Sequence, residues 1–167
     1  MLDLHLLSSC ILYILPAYVA NATACIFGGG KPLDLGKKFF DNKRVLGDGV
    51  TIRGSLAGLF FGTLTGIFEG IIFNNILFYL KLSFLLSLGA ILGDAVGSFI
   101  KRRLNIDRGK PAPLLDQLDF VIGALSLGYV VKPIPIKMIL IIIFITIFVH
   151  FLANVIAYLL KIKNVWW

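Results

Sequence analysis

Apolar residues in this chain gather into five long runs, and most of the charged residues stand in the segments between them. The runs predict helices over about 4–27, 54–73, 76–100, 116–132 and 136–160. A helix that crosses a bilayer needs about 20 apolar residues, so the fourth run is short unless its acidic start and Lys132 are counted. That start therefore belongs in a wet cavity. Pro16 is expected to kink the first helix, and Pro133 and Pro135 punctuate the turn between the last two. Asn74–Asn75 marks a tight turn between the second and third. The fold class that follows is an all-α integral membrane protein with five transmembrane helices, a single polytopic domain over residues 1–167.

Composition agrees with that pattern. The chain is 58% hydrophobic, against about 45–50% for a soluble domain, and its mean hydropathy is +0.92. A length of 167 residues leaves no room for a second domain of ordinary size. The net charge of +7 does not point to nucleic acid, because the basic residues are confined to short loops between apolar spans. The first span is read as an uncleaved helix: Asp3 precedes it and no Lys or Arg does, unlike the start of a signal peptide. Cys10 and Cys25 fall about 22 Å apart on that helix, too far to bridge, and are apolar filler.

The distribution of Lys and Arg sets the sidedness. With five spans, thirteen of the sixteen basic residues fall on one side, in loop 28–53, loop 101–115 and the tail with Lys161 and Lys163. Only Lys81, Lys132 and Lys137 fall on the other. The positive-inside rule then puts both long loops and the C-terminus in the cytoplasm and the N-terminus outside, with Trp166–Trp167 as interfacial anchors. Gly54, Gly58, Gly62, Gly66 and Gly70 recur every fourth residue, and Gly89, Gly93 and Gly97 do the same in the third helix. Such stripes let helices approach closely, within a subunit or across a homodimer.

Against this apolar background a few ionisable groups stand out. Burying a charge at membrane depth costs roughly 2.5–3.5 kcal/mol even on lenient scales, so such residues are kept for function. Asp94, Ser98 and Lys101 stand at i, i+4 and i+7 on one stripe, with Asp94 about 10 Å into the membrane from Lys101. Asp116 and Asp119 share a face of the next helix's first turn, and a short basic loop, Lys101–Pro111, joins the two sets. Carboxylates converging beside Lys101 and Arg102 are what a metal–triphosphate site requires, with Asp94, Asp116 and Asp119 as Mg²⁺ ligands. In the first loop, Leu46–Gly47–Asp48–Gly49 forms a glycine-rich turn whose amides, with Arg53, can cradle an anion. Lys43 lies in the same loop, and Asn21 near the cytoplasmic end of the first helix is placed to reach a base or ribose.

Other polar residues point elsewhere. Gly28–Gly29–Gly30–Lys31–Pro32 lacks the Walker spacing and is read as a linker. Glu69, near the outer end of the second helix, is expected at the interface. His150 and Asn154 share a face of the fifth helix, where an interhelical hydrogen bond is the expected role. Spaced His and Cys ligands for zinc are absent.

The segment Gly93–Asp94, Ser98, Lys101–Arg102, Pro113, Asp116 and Asp119 resembles the signature of the CTP-dependent phosphatidate cytidylyltransferases. Its wording, with Arg108–Gly109 and Leu115–Asp116–Gln117–Leu118–Asp119–Phe120, is similar to the small archaeal branch that makes CDP-archaeol. Pro16–Ala17–Tyr18–Val19–Ala20–Asn21 and Leu46–Gly47–Asp48–Gly49 with Thr51 and Arg53–Gly54 resemble that branch's other shared segments, so the likeness covers nearly the whole chain. Gln117 and Phe120 replace the Arg and Ser of bacterial relatives, and Val50 stands where family members often carry a basic residue.

The resemblance implies a multi-pass cell-membrane enzyme whose site faces the cytoplasm. Its partners would be CTP, an isoprenoid glycerol-phosphate ether lipid and membrane lipid, and its cofactor Mg²⁺. It also implies that Asp94, Asp116 and Asp119 hold the metal while Lys101 and Arg102 stabilise the triphosphate. Ser98, Asn21, Asp48, Gly49, Arg53 and Lys43 are the expected nucleotide contacts. A CTP-dependent polyprenol kinase would need a similar site, and a small ion transporter would place Asp94 on an ion path.

Overall fold

The computed structural model describes residues 3–161. Five helices follow one another: α1 (Leu4–Ile26), α2 (Ile52–Ile72), α3 (Ile76–Arg103), α4 (Leu115–Val131) and α5 (Ile136–Leu159). The expected anchors Trp166–Trp167, together with Lys163, lie outside the described residues. α1, α2, α3 and α5 are long and apolar enough to cross a bilayer. α4, with 17 residues, is about 26 Å long and starts with its acidic turn beside the basic loop.

Local chemistry sets the helix starts. Asp3 accepts from the amide of His5, Thr51 Oγ1 from Gly54, and Asn75 Oδ1 from Phe78. Thr51 therefore opens α2 two residues before the expected start at Gly54. α3 runs three residues further than expected, to Arg103, because Lys101, Arg102 and Arg103 complement the negative end of the helix dipole. At α4, Leu114 adopts φ 65° and its amide donates to the side chain of Gln117.

The glycine stripes work inside the subunit. A side chain at Gly54, Gly58 or Gly62 would run into backbone oxygens of Ala24, Ala20 and Pro16, so α2 lies antiparallel against α1. Gly66 and Gly70 meet Ser83, Tyr79 and Ile76 of α3 in the same way. Gly89, Gly93 and Gly97 face Gly123, Phe120 and Asp119, which brings α3 and α4 together backbone to backbone. α5 runs parallel to α1, tied by Tyr18 to Thr146 across 2.8 Å. Leu56, Phe60, Phe68, Leu92, Val96, Phe144 and Phe148 stay exposed, as lipid-facing residues should.

Glu69 stands three residues from the outer end of α2 and is buried there, at 5% exposure. It shares a helix face with Gly66 and Gly70, and the close approach those glycines permit draws that face against α3.

Candidate functional site

One end of the bundle gathers the C-termini of α1, α3 and α5, the N-termini of α2 and α4, and the long loops 27–51 and 104–114. The first loop is folded around Asp34, which is 8% exposed. Arg44 donates to it at 2.8 Å, and the amides of Gly36, Leu46 and Gly47 add bonds of 3.0, 2.9 and 3.1 Å. Arg44 also reaches Asp48 at 2.9 Å. Burial pushes the Asp34 carboxyl up, but the Arg44 guanidinium and the three amides outweigh it and hold the group well below the usual carboxylate range.

Arg103, at the end of α3, fastens this loop to the bundle. Its guanidinium donates to the Arg44 carbonyl at 2.6 Å, pairs with Asp41 at 2.8 Å, and lies 4.4 Å from the centre of the Phe99 ring. Lys43 donates to the Arg103 carbonyl at 3.0 Å. The glycine-rich turn is thereby set against α3, where a side chain at Gly47 would meet that of Arg102.

Asp34→Asn is expected to loosen the loop by about 1–3 kcal/mol, the loss of hydrogen bonds to a charged acceptor. Because the folded pKa is depressed, this stabilisation is present above the unfolded value of about 4 and disappears as pH falls below it. Limited proteolysis near Lys37–Lys38 checks the substitution: the wild-type loop resists at neutral pH, and the variant is cut there. Equal resistance of the two proteins would refute the role given to Asp34.

Between this loop, the helix ends and the 104–114 loop lies a cavity of about 680 Å³. Asp94, Ser98, Lys101 and Arg102 line it from α3, Asp116 and Asp119 from α4, Asn21 from α1, and Asp48 and Gly49 from the first loop. Lys101 forms an ion pair with Asp116, whose second oxygen accepts from the amide of Ala112 at 3.0 Å. Asp119 accepts from the amide of Phe120 at 2.6 Å, and its carboxyl group rests on Gly97. Nε of Arg102 is buried with no hydrogen-bond partner among the described residues, a donor well suited to an anion.

Among the described residues, no three His, Cys, Asp or Glu side chains already form a metal cluster. The three aspartates share one space, but Lys101 stands at Asp116 and Asp119 is turned onto its own helix. Their hard oxygen donors nevertheless fit a magnesium ion bound together with phosphate and water.

Two expected nucleotide contacts lie elsewhere. Arg53 is exposed at the start of α2, and Lys43 is drawn to the Arg103 carbonyl; neither lines the cavity. Arg108 and Gly109 do line it, as does Thr51, and the signal for them was their place between or beside the carboxylate and glycine-rich segments. His150 and Asn154 also line it. They share a mutual bond of 3.2 Å along α5, one turn apart.

Comparison with known proteins converges on one family. A profile of the CarS-like family, described as CDP-archaeol synthase, matches residues 1–167. A CDP-archaeol synthase of Methanocaldococcus jannaschii is 63% identical over 174 residues, with 98% of each chain covered. One from Methanopyrus kandleri is 51% identical, covering 93% of this chain and 90% of its own. A solved structure of an intramembrane enzyme for archaeal membrane lipids biosynthesis superposes with a TM-score of 0.81 at 42% identity. It covers 86% of this chain and 91% of its own. With a cavity of carboxylates and cations set into a bundle of membrane helices, and relatives matched along nearly all its length, this chain belongs to the CDP-archaeol synthase family.

Proposed function

We propose that this protein joins CTP to 2,3-bis-O-(geranylgeranyl)-sn-glycerol 1-phosphate, yielding CDP-archaeol and pyrophosphate. One observation carries the reading: a cavity at the basic end of the helix bundle, lined by three aspartates, Lys101, Arg102 and Ser98, in a chain of this family. A phosphate oxygen of the lipid attacks the α-phosphorus of CTP, and the bond from that phosphorus to the bridging oxygen of pyrophosphate breaks. The attacking phosphomonoester is largely ionised at neutral pH, so no strong general base is needed. The protein's task is positioning and charge stabilisation.

Lys101 and Arg102 balance the charge that builds on the departing pyrophosphate, and Ser98 orients a phosphate or a carboxylate. Asn21, Asp48 and Gly49 contact the nucleotide. Asp94, Asp116 and Asp119 hold Mg²⁺, which when bound neutralises phosphate charge and polarises the reacting phosphorus. The basic end of the bundle faces the cytoplasm, from which CTP arrives, and the N-terminus lies outside.

Incubation of the purified protein with CTP, Mg²⁺ and the ether lipid phosphate, followed by mass measurement, tests the reaction. A CDP-linked lipid with pyrophosphate is the expected outcome. Release of CDP with a newly phosphorylated lipid would indicate a kinase instead, and ion flux without CTP consumption a transporter.

A further inference from the structure

We infer that the tip of the first loop, Lys37–Arg44, is a membrane-docking hairpin: Phe40 enters the boundary between headgroups and acyl chains, and Lys37 and Lys38 meet the lipid phosphates. None of these residues lines the cavity, so the hairpin docks whichever reaction the cavity performs.

The hairpin is built locally. Lys38 and Arg44 form an antiparallel bridge, the amide of Phe39 donates to the Lys43 carbonyl at 2.8 Å, and that of Val45 to the Lys37 carbonyl at 3.0 Å. The Asn42 amide closes the turn on the Phe39 carbonyl at 3.0 Å, and Asn42 takes φ 60°, a conformation that asparagine tolerates. Phe40 and Asp41 are thus the two central residues of the turn, and they leave it differently. Asp41 turns back to Arg103, 2.8 Å away, whereas Phe40 is 97% exposed, with the Phe39 ring beside it at 5.0 Å. A turn tip in water favours Gly, Asn, Asp or Ser, and a bare phenyl ring there is disfavoured.

Position says what covers that ring. Phe39 packs edge-on against Phe99 of α3, with ring centres 5.3 Å apart, and the Arg103 guanidinium lies over both rings. Phe99 stands four residues before the end of α3, about 6 Å inside it at 1.5 Å per residue. Leu92 and Val96 precede it on the same side of the helix, and both are exposed on a segment apolar enough to span a bilayer. Phe39 therefore lies along the lipid-facing stripe of α3 and not over the helix end. It carries Phe40 to the level of the headgroup–acyl boundary, where interfacial apolar groups bury by about 5–10 Å.

Charge matches the same surface. Lys37 and Lys38 are exposed, and the one carboxylate between Lys37 and Arg44, that of Asp41, is paired with Arg103. Lys43 and Arg44 are drawn inward, to the Arg103 carbonyl and to Asp34. The hairpin thus offers outward an aromatic ring and two ammonium groups on flexible stems, a combination that suits a phosphate layer above an acyl phase. A soluble partner would have to reach Phe40 through that layer. Docking adds a lipid hold, beside that of Arg103, on the loop that carries Asp48 and Gly49 to the cavity.

The test uses the full-length protein in nanodiscs of phosphatidylcholine and phosphatidylglycerol. Trp166 and Trp167 are the chain's two tryptophans, so Phe40→Trp combined with Trp166→Phe and Trp167→Phe leaves position 40 as the one indole. Lipid brominated just below the headgroup is expected to quench its emission by at least about twofold, and lipid brominated near the terminal methyl by less. Emission unchanged by either lipid would overturn the proposal, indicating a solvated tip if iodide quenches it and a protein contact if iodide does not. Lys37→Gln with Lys38→Gln is expected to weaken the shallow quenching, and undiminished quenching would overturn the role given to the two lysines. Because the variants can fail to fold, the wild-type protein is also labelled with a phospholipid bearing a diazirine next to its headgroup. Label on the tryptic peptide 39–43 is expected; label confined to the helices would overturn the docking.

Discussion

Asp94→Asn and Asp116→Asn each yield a folded membrane protein whose rate of CDP-lipid formation falls by roughly a thousandfold or more, the scale of losing a metal-supported electrostatic contact. Both substitutions keep side-chain volume and remove the negative oxygen that a hard cation needs. The two carboxylates come from different helices, α3 and α4, and line the same cavity, so neither can replace the other. Their stability signatures should differ. Asp116 pairs with Lys101 and accepts from Ala112, and its loss is expected to lower thermal stability slightly. Neutralising Asp94 removes a charge from membrane depth and costs folding little. Steady-state assays with CTP and the ether lipid phosphate, paired with thermal unfolding in detergent, read both effects. Near-normal turnover in either variant would count decisively against the site.

The second large effect comes from a residue with no reactive group. A side chain at Gly93 would meet the carbonyl carbon of Asp119 at 2.9 Å and the Cα of Phe120 at 3.0 Å. These are backbone atoms of α4, which cannot rotate out of the way. Gly123 presents the reciprocal contact, with a side chain there meeting the Cα of Gly93 at 2.9 Å. Gly93→Leu must therefore push α3 and α4 apart, separating Asp94 from Asp116 and Asp119. The expected loss is at least about 3 kcal/mol of stability, the upper range for overpacking, together with the activity. Leu92, the neighbouring residue, is half exposed to the lipid phase, and Leu92→Ala serves as the control with little effect. A Gly93→Leu protein that melts and turns over like the wild type would show that the α3–α4 contact does not set the site.

Much of the site was legible in the chain because charge is conspicuous among apolar residues. Asp94, Ser98, Lys101 and Arg102 stand at helical spacing, and the structure places all four on one cavity. Lys43 and Arg53 do not line that cavity. A cation in a loop has several anionic or carbonyl partners within reach, and Lys43 is bound to the Arg103 carbonyl; Arg53, in the first turn of α2, is exposed. Asp34 carried no signal at all: its burial depends on Arg44, Leu46 and Gly47 folding back upon it. The burial of Glu69 was equally silent, because proximity to a helix end says nothing about which face a neighbouring helix covers.

The sequence by itself determined the five helices, to within a few residues, and the residue types available for chemistry. A span in lipid must satisfy its own backbone hydrogen bonds, so a long apolar run becomes a helix whatever its neighbours do. Only the tertiary structure decided which glycine stripe meets which helix, how Arg103 seats the first loop, and that α5 turns His150 and Asn154 into the cavity. Those features depend on contacts between residues far apart in the chain, such as Arg103 with Arg44 across 59 positions, and no local pattern encodes such a pairing.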